Sequence, residues 1–120
     1  RAFWDAYAFW VQNPKEAAQI MADGLKFAVE DVELVIGPGA VREKSLLWMY
    51  TFEESAGMCG AAPVDPPFGQ TQGQLYTVME TVNDWWLKFG YMSKKLDPRD
   101  YVDCSLMKEL YDSGYKGVAP

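Results

Sequence analysis

Apolar residues recur at intervals of three and four along most of the chain, which predicts a mainly α protein. The first such stretch, residues 2–12, carries aromatic and aliphatic side chains on one broad face. It ends at Asn13-Pro14, because the residue before a proline avoids the α region. The same dipeptide predicts a second helix, with Asn13 as N-cap, Pro14 at the first helical position and Glu16 completing a capping box. Gly24 is the candidate C-cap of that helix.

Two stretches that follow have less regular patterns. Residues 29–36 predict a short helix that ends at Gly37, although their β-branched content leaves a strand as the alternative. The side chains expected to face inward are those of Val29, Val32, Val35 and Ile36. Residues 41–52 are too densely apolar for a clear period, and we expect a helix through Tyr50.

Glycine and proline are concentrated in residues 57–74, which predicts an irregular loop. The clearest helical pattern of the chain follows, with Gly90 as its C-cap glycine. Its apolar stripe consists of Leu75, Val78, Met79, Val82, Trp85, Trp86 and Phe89. Asp97 and Pro98 predict a capped helical turn. A last amphipathic helix, containing Leu106, Leu110 and Tyr111, is expected to end at Gly114 and to be followed by a tail to Pro120.

Composition narrows the classes of function. The chain has 120 residues, 49% of them hydrophobic, which fits one globular helical segment spanning residues 1–120 and excludes disorder. The formal net charge of −6 argues against a nucleic-acid partner and against docking on an anionic membrane. With no histidine, the chain lacks Ser-His and Cys-His catalysis and His-ligated metals. Because the helical pattern begins directly after Arg1, we expect the chain to be part of a longer protein.

The two cysteines, Cys59 and Cys104, lack the spacing of a zinc site. The favoured interpretation is two small buried apolar residues, and a disulfide in an oxidising compartment is the alternative. The sequence contains no apolar run of the roughly 20 residues needed for a membrane span.

Candidate chemistry is sparse. Glu53-Glu54 supplies paired carboxylates but no partner base or nucleophile, so a solvated charged face is favoured and no catalytic residue is predicted. No metal ligands and no cofactor are predicted. Residues 57–63 are favoured as a plain connecting loop over a ligand-binding one. Most aromatic side chains are expected in a core. Because neighbours cannot both face the same core, one of Trp85 and Trp86 is expected at a domain boundary or under the loop. The candidates for stacking on a ligand are Trp48, Tyr50 and Trp85.

The order of four segments resembles one protein family. Residues 13–18, Asn-Pro-Lys-Glu-Ala-Ala, resemble the "NPEEAA" stretch of periplasmic solute-binding proteins of ABC importers for nitrate, sulfonate, taurine and thiamine-pyrimidine precursors. Residues 83–90 resemble that family's "flyelG" helix end, residues 97–100 its aspartate-proline step, and residues 101–106 its "dlvd" turn. The resemblance spans residues 5–110 and departs from the family between residues 41 and 74.

The resemblance implies the C-terminal helical portion of a two-lobed α/β periplasmic-binding-protein (type II) fold. It implies a non-catalytic receptor, periplasmic or anchored outside the cytoplasm, that passes a small organic or anionic solute to a membrane ABC permease. The alternatives are an enzyme on the same scaffold, similar to thiamine-pyrimidine synthases, and a free-standing helical interaction domain. The synthases carry a cysteine-rich motif and depend on histidine, and the chain has neither. We also expect the apolar faces of residues 3–11 and 75–89 to be covered within a helical cluster or to drive self-association.

Overall fold

A computed structural model describes residues 1–117, and these residues are mainly helical, with no strand among them. The α-helices are α1 (Ala2–Gln12), α2 (Pro14–Leu25), α3 (Val29–Ile36), α4 (Phe52–Met58), α5 (Gln74–Lys88) and α6 (Ser105–Asp112). Short 3-10 turns occur at Pro38–Ala40, Arg42–Lys44 and Pro98–Asp100. The helices predicted for α1, α2, α3, α5 and α6 are confirmed. The end of the predicted tail, residues 118–120, lies outside the described residues.

The junction between α1 and α2 forms at Asn13-Pro14 as predicted, but by a different hydrogen bond. The Asn13 side-chain Nδ2 donates to the carbonyl oxygen of Phe9 at 3.2 Å, and the Asn13 backbone N–H donates to the same oxygen at 2.8 Å. The Asn13 side chain therefore closes the end of α1 and makes no capping bond to α2. The expected capping box with Glu16 is thus wrong, because a side chain turned back toward α1 cannot also cap α2.

The end of α2 also differs from the prediction. Gly24 lies inside the helix, which continues to Leu25 and ends on Lys26 in the left-handed conformation. The N–H of Phe27 then donates to the carbonyl oxygen of Ala22 at 3.1 Å, which closes the last turn. Gly24 is therefore not the C-cap.

The described residues divide into two compact units, of which the first comprises residues 1–52 with Gly117. Its core forms because α2 presents small side chains, Ala17, Ala18 and Ala22, on which α1 and α3 pack. Tyr7 and Trp10 of α1 are buried, so most of the apolar face of residues 3–11 is covered as expected. On α3 only Val32 is buried, and Val35 is exposed. Since adjacent helical residues point about 100° apart, this short helix buries a narrower face than predicted.

Residues 41–51 do not form the expected helix. The Arg42–Lys44 turn is followed by an irregular segment that reaches Thr51. The N–H groups of Leu46 and Leu47 donate to the carbonyl oxygens of Leu34 and Val35, each at 3.1 Å. These two bonds pair Leu46 and Leu47 with carbonyl groups in the last turn of α3, which have no partner within that helix, and they replace helical hydrogen bonds for these two amides.

The second unit comprises residues 53–116 and contains most of α4, the predicted loop, α5 and α6. A disulfide joins Cys59 to Cys104, whose Cα atoms are 5.8 Å apart. The favoured interpretation of these cysteines as unpaired residues is therefore wrong. Gly57 lies against the backbone carbonyl of Val64, and a Cβ at position 57 would overlap that oxygen. The glycine thus serves the close packing of the loop on α4.

None of the helices within residues 1–117 has the length and hydrophobicity that crossing a bilayer requires.

Candidate functional site

Trp48 lies in the irregular segment of the first unit, where its ring stacks against the side chain of Arg42. The Arg42 guanidinium lies 4.4 Å from the centre of the Trp48 ring, and Arg42 Nη1 donates to the carbonyl oxygen of Met49 at 3.1 Å. Arg42 therefore holds the backbone of the segment and stacks on Trp48 through a cation–π contact. The ring face that was expected to stack on a ligand is already occupied. Tyr50, the second candidate, is half-buried in the same segment.

An apolar groove crosses the first unit beside these residues. It consists of two adjoining cavities of about 180 and 270 Å³ that share Met21 and Ile36. The further lining side chains that shape it include Phe3, Trp10, Met49, Phe27 and Val35. Asp31, at one end, is the single charged residue in this lining. Each cavity is smaller than the sites that enclose drug-sized ligands, which start at about 300 Å³.

The indole N–H of Trp10 is buried beside the groove and has no hydrogen-bond partner among residues 1–117. A donor on the groove wall is what a polar ligand would need, but this nitrogen is shielded from solvent. The groove consequently presents a hydrophobic surface with little to orient a polar molecule.

The third candidate, Trp85, belongs to an exposed surface of the second unit that we call the aromatic patch. It consists of Trp85, Trp86, Phe89 and Tyr91, which are 61%, 51%, 57% and 79% exposed. The rings of Trp85 and Phe89 are one helical turn apart, with their centres separated by 5.9 Å. With Thr81 and Val82 the patch lines an open depression of about 330 Å³. One of Trp85 and Trp86 was expected outside the core, and both are exposed. The expectation of a core position is therefore wrong for the second tryptophan and for Phe89.

The end of α5 shapes this patch. Gly90 has a φ of +76°, and its N–H donates to the carbonyl oxygen of Leu87 at 3.1 Å. The N–H of Tyr91 donates to the carbonyl oxygen of Trp86 at 2.8 Å. This pair of bonds is a Schellman motif, which confirms the predicted role of Gly90. The reversal of the chain places Tyr91 beside the last turn of α5, where it joins the patch.

Asn83 holds the segment that follows the patch. It is 2% exposed, donates from Nδ2 to the carbonyl oxygen of Leu96 at 2.8 Å, and accepts a hydrogen bond from the Tyr101 hydroxyl at 3.2 Å. These bonds fasten both ends of the segment that includes the capped turn at Pro98 to the side of α5. Sequence reasoning did not single out Asn83. Its position four residues after Met79, on an otherwise apolar helix face, could have indicated a buried amide with hydrogen-bond partners.

A lysine at the end of α5 lies beside the aromatic patch, and a second lysine, further along the chain, is paired with an aspartate. Lys88 Nζ lies 5.9 Å from the centre of the Phe89 ring. Lys95 Nζ pairs with Asp84 Oδ1 at 2.7 Å, and this hydrogen bond raises the pKa of Lys95 above its ordinary value. Both partners are exposed, so the pair contributes little to stability.

The acidic pair singled out in the sequence has a structural role. Glu53 and Glu54 lie in the first turn of α4, where the helix dipole favours negative charge. Within the described part of the chain, no three Cys, Asp or Glu side chains are grouped so that they could hold a metal ion.

The predicted site residues therefore belong to different surroundings. Trp48 and Tyr50 lie in the first unit and Trp85 lies in the second, in a patch of exposed aromatic side chains. Comparison of the chain with family models, with curated proteins and with solved structures found no match in any of the three.

Proposed function

We propose that this chain belongs to the substrate-binding component of an ABC importer of the nitrate, sulfonate and taurine class. In this proposal it forms the C-terminal helical portion of a two-lobed α/β type II periplasmic-binding protein. The receptor captures a small organic or anionic solute outside the cytoplasm and delivers it to a membrane permease. It performs no chemistry and needs no cofactor.

One observation carries the proposal, namely the order of the helix boundaries. The break at Asn13-Pro14, the Schellman end at Gly90 and the Asp97-capped turn at Pro98 lie within the segments that carry the resemblance. The Asp97 Oδ1 atom accepts a hydrogen bond from the Arg99 N–H at 2.9 Å, as an N-cap should. These features fix where helices begin and end, and they support a shared architecture rather than a shared ligand.

Two further features are compatible with the proposal. The Cys59–Cys104 disulfide fits an oxidising compartment such as the periplasm. The exposed apolar side chains of the groove fit a segment that packs against other parts of a larger receptor. Self-association of the chain through the apolar faces of residues 3–11 and 75–89 stays a prediction.

Calorimetric titration of the full-length protein tests this function. Nitrate, taurine, an alkanesulfonate and an aminopyrimidine would each be titrated, with phosphate as the unrelated anion. We expect saturable one-to-one binding of one of the four classes and none of phosphate. Turnover of any of these compounds would favour the enzyme alternative. Absence of binding across the whole panel would contradict the receptor.

A further inference from the structure

The aromatic patch differs in charge from the rest of the chain. Residues 84–95, which contain it, carry three lysines and one aspartate, and since Lys95 is paired with Asp84, Lys88 and Lys94 provide the uncompensated charge of this segment. Since the whole chain has 11 basic and 17 acidic residues, the remainder carries eight basic against sixteen acidic side chains. The chain with a net charge of −6 thus contains a short segment whose own net charge is positive. The negative net charge of the whole chain therefore does not prevent this segment from meeting an anionic membrane.

The side chains of the patch are of a particular chemical type. Trp85, Trp86 and Tyr91 each combine a large apolar ring with a polar N–H or O–H group. Such side chains concentrate at the headgroup level of bilayers, where one end is apolar and the other hydrated. Lysines nearby extend their charged ends toward lipid phosphates while their methylene stems remain in the apolar region.

Lysine also helps to distinguish a bilayer from a protein partner. The centres of protein–protein interfaces are enriched in aromatic residues but depleted in lysine. Here Lys88 extends over the ring of Phe89, and Lys94 is exposed three residues after Tyr91. Lysine mixed into a group of exposed aromatic rings is more typical of a surface that meets anionic lipid.

From this geometry we infer that the aromatic patch, together with Lys88 and Lys94, is a peripheral docking site for the headgroup region of an anionic lipid bilayer. The rings of Trp85, Trp86, Phe89 and Tyr91 enter the interface, and the two lysines contact lipid phosphates. The Schellman turn at Gly90 fixes Tyr91 beside the helix, so the docking surface is formed before lipid is met. This inference does not rest on the transport proposal, because it concerns a surface and not a solute.

Co-sedimentation of the full-length protein with sucrose-loaded vesicles tests the inference. Vesicles of phosphatidylcholine alone would be compared with vesicles containing phosphatidylglycerol. We expect binding to the anionic vesicles that weakens as salt is raised, because the Debye length shortens. The variant Trp85→Ala/Phe89→Ala should bind at least about tenfold more weakly, from the apolar area withdrawn from water. The variant Lys88→Gln should lose about fivefold on anionic vesicles only.

Matched control variants distinguish binding through this patch from nonspecific adsorption to vesicles. Leu106→Ala removes an equally exposed apolar side chain outside the patch, and Lys15→Gln removes an exposed lysine outside it. Both should bind vesicles as the unaltered protein does. Circular dichroism establishes that each variant is folded. Because the altered side chains are exposed, unchanged spectra are expected.

Three results would overturn the inference. One is equal binding to neutral and anionic vesicles, and another is an equal loss in the patch variants and their matched controls. The third is an unaltered protein that binds no vesicles but self-associates, with Trp85→Ala/Phe89→Ala abolishing the self-association. That result would make the patch an interface between copies of the chain. A protein that binds solute but not vesicles contradicts this inference alone. A protein that binds vesicles but no solute contradicts the transport proposal alone.

Discussion

The side-chain amide of Asn83 donates a hydrogen bond to the backbone carbonyl of Leu96 at 2.8 Å, across thirteen positions of the chain. This bond and the one from the Tyr101 hydroxyl connect α5 to the segment that follows the aromatic patch. The order of that segment therefore depends on a buried amide.

Replacing this amide should destabilise the second unit. Asn83→Ala leaves the Leu96 carbonyl and the Tyr101 hydroxyl without their partner, and we expect a loss of about 1–2 kcal/mol in the free energy of unfolding. Tyr101→Phe removes one of the two bonds and should cost less, about 0.5–1 kcal/mol. Urea denaturation of both variants measures the difference. Equal effects of the two variants would refute the assignment of Asn83 as the centre of this network.

The Cys59–Cys104 disulfide should stabilise the protein substantially. It closes a loop with a sequence separation of 45, for which the chain-entropy relation gives about 4 kcal/mol. Cys59→Ala/Cys104→Ala should therefore unfold at much lower denaturant concentration than the oxidised protein. Added reductant should leave the stability of this double variant unchanged and should lower the stability of the unaltered protein. An unaltered protein that is insensitive to reductant would show that the bond contributes little.

Two glycines in helices should respond in opposite directions to alanine. Gly57→Ala places a Cβ against the Val64 carbonyl and should cost about 1–3 kcal/mol of stability. Gly24→Ala adds a Cβ to the interior of α2 with no atom within 4 Å. It should stabilise the protein by about 0.5–1 kcal/mol, because alanine loses less backbone entropy in a helix. Thermal unfolding of the pair provides the comparison. Destabilisation by Gly24→Ala would show that the helix does not extend past this position.

The start of α6 should respond to acid. Asp103 Oδ1 accepts a hydrogen bond from the Ser105 N–H at 2.8 Å, and this bond lowers the pKa of Asp103 below its usual 3.8. A lowered pKa in the folded state means that the carboxylate contributes stability above pH 3.8. That contribution is lost as the pH falls through the folded-state pKa.

NMR titration of the Asp103 carboxyl group checks this expectation directly. Asp103→Asn retains an acceptor oxygen but has no carboxyl group to titrate, so its α6 should lack this part of the acid dependence. A carboxyl group that titrates at or above 3.8 in the unaltered protein would contradict the hydrogen bond.

The parts of the fold that sequence predicted are those decided within one helical turn. Asn13-Pro14 separates two helices, and Gly90 ends α5, because proline and glycine act on their own backbone and its immediate neighbours. The Asp97 cap is equally local. Each of these boundaries depends on residues at most a few positions apart.

The parts that were missed depend on contacts between distant residues. Residues 41–51 lost their predicted helix because amides of Leu46 and Leu47 bond to carbonyls of α3. The pairing of Cys59 with Cys104 depends on a distance that spacing along the chain does not reveal. The periodicity of α5 predicted its helix correctly. It could not predict that Trp85 and Trp86 stay exposed within residues 1–117, because burial depends on which other elements pack against the helix.

The candidate stacking residues differ in what surrounds them. Trp85 is an exposed aromatic side chain, as a ligand-stacking residue would be, whereas Trp48 already stacks on Arg42. The lysines beside the patch were not connected with it, because the charge was summed over the whole chain. A charge count over short windows would have revealed the basic segment.

Small-angle X-ray scattering of the full-length protein, with and without the solute identified by calorimetry, tests the receptor proposal most directly. Two-lobed receptors close around their ligand by hinge motion. We predict that the radius of gyration falls when saturating solute is added and recovers when the solute is removed by dialysis. A radius of gyration that stays unchanged at saturation, or a solute that is chemically altered during the measurement, would contradict the account.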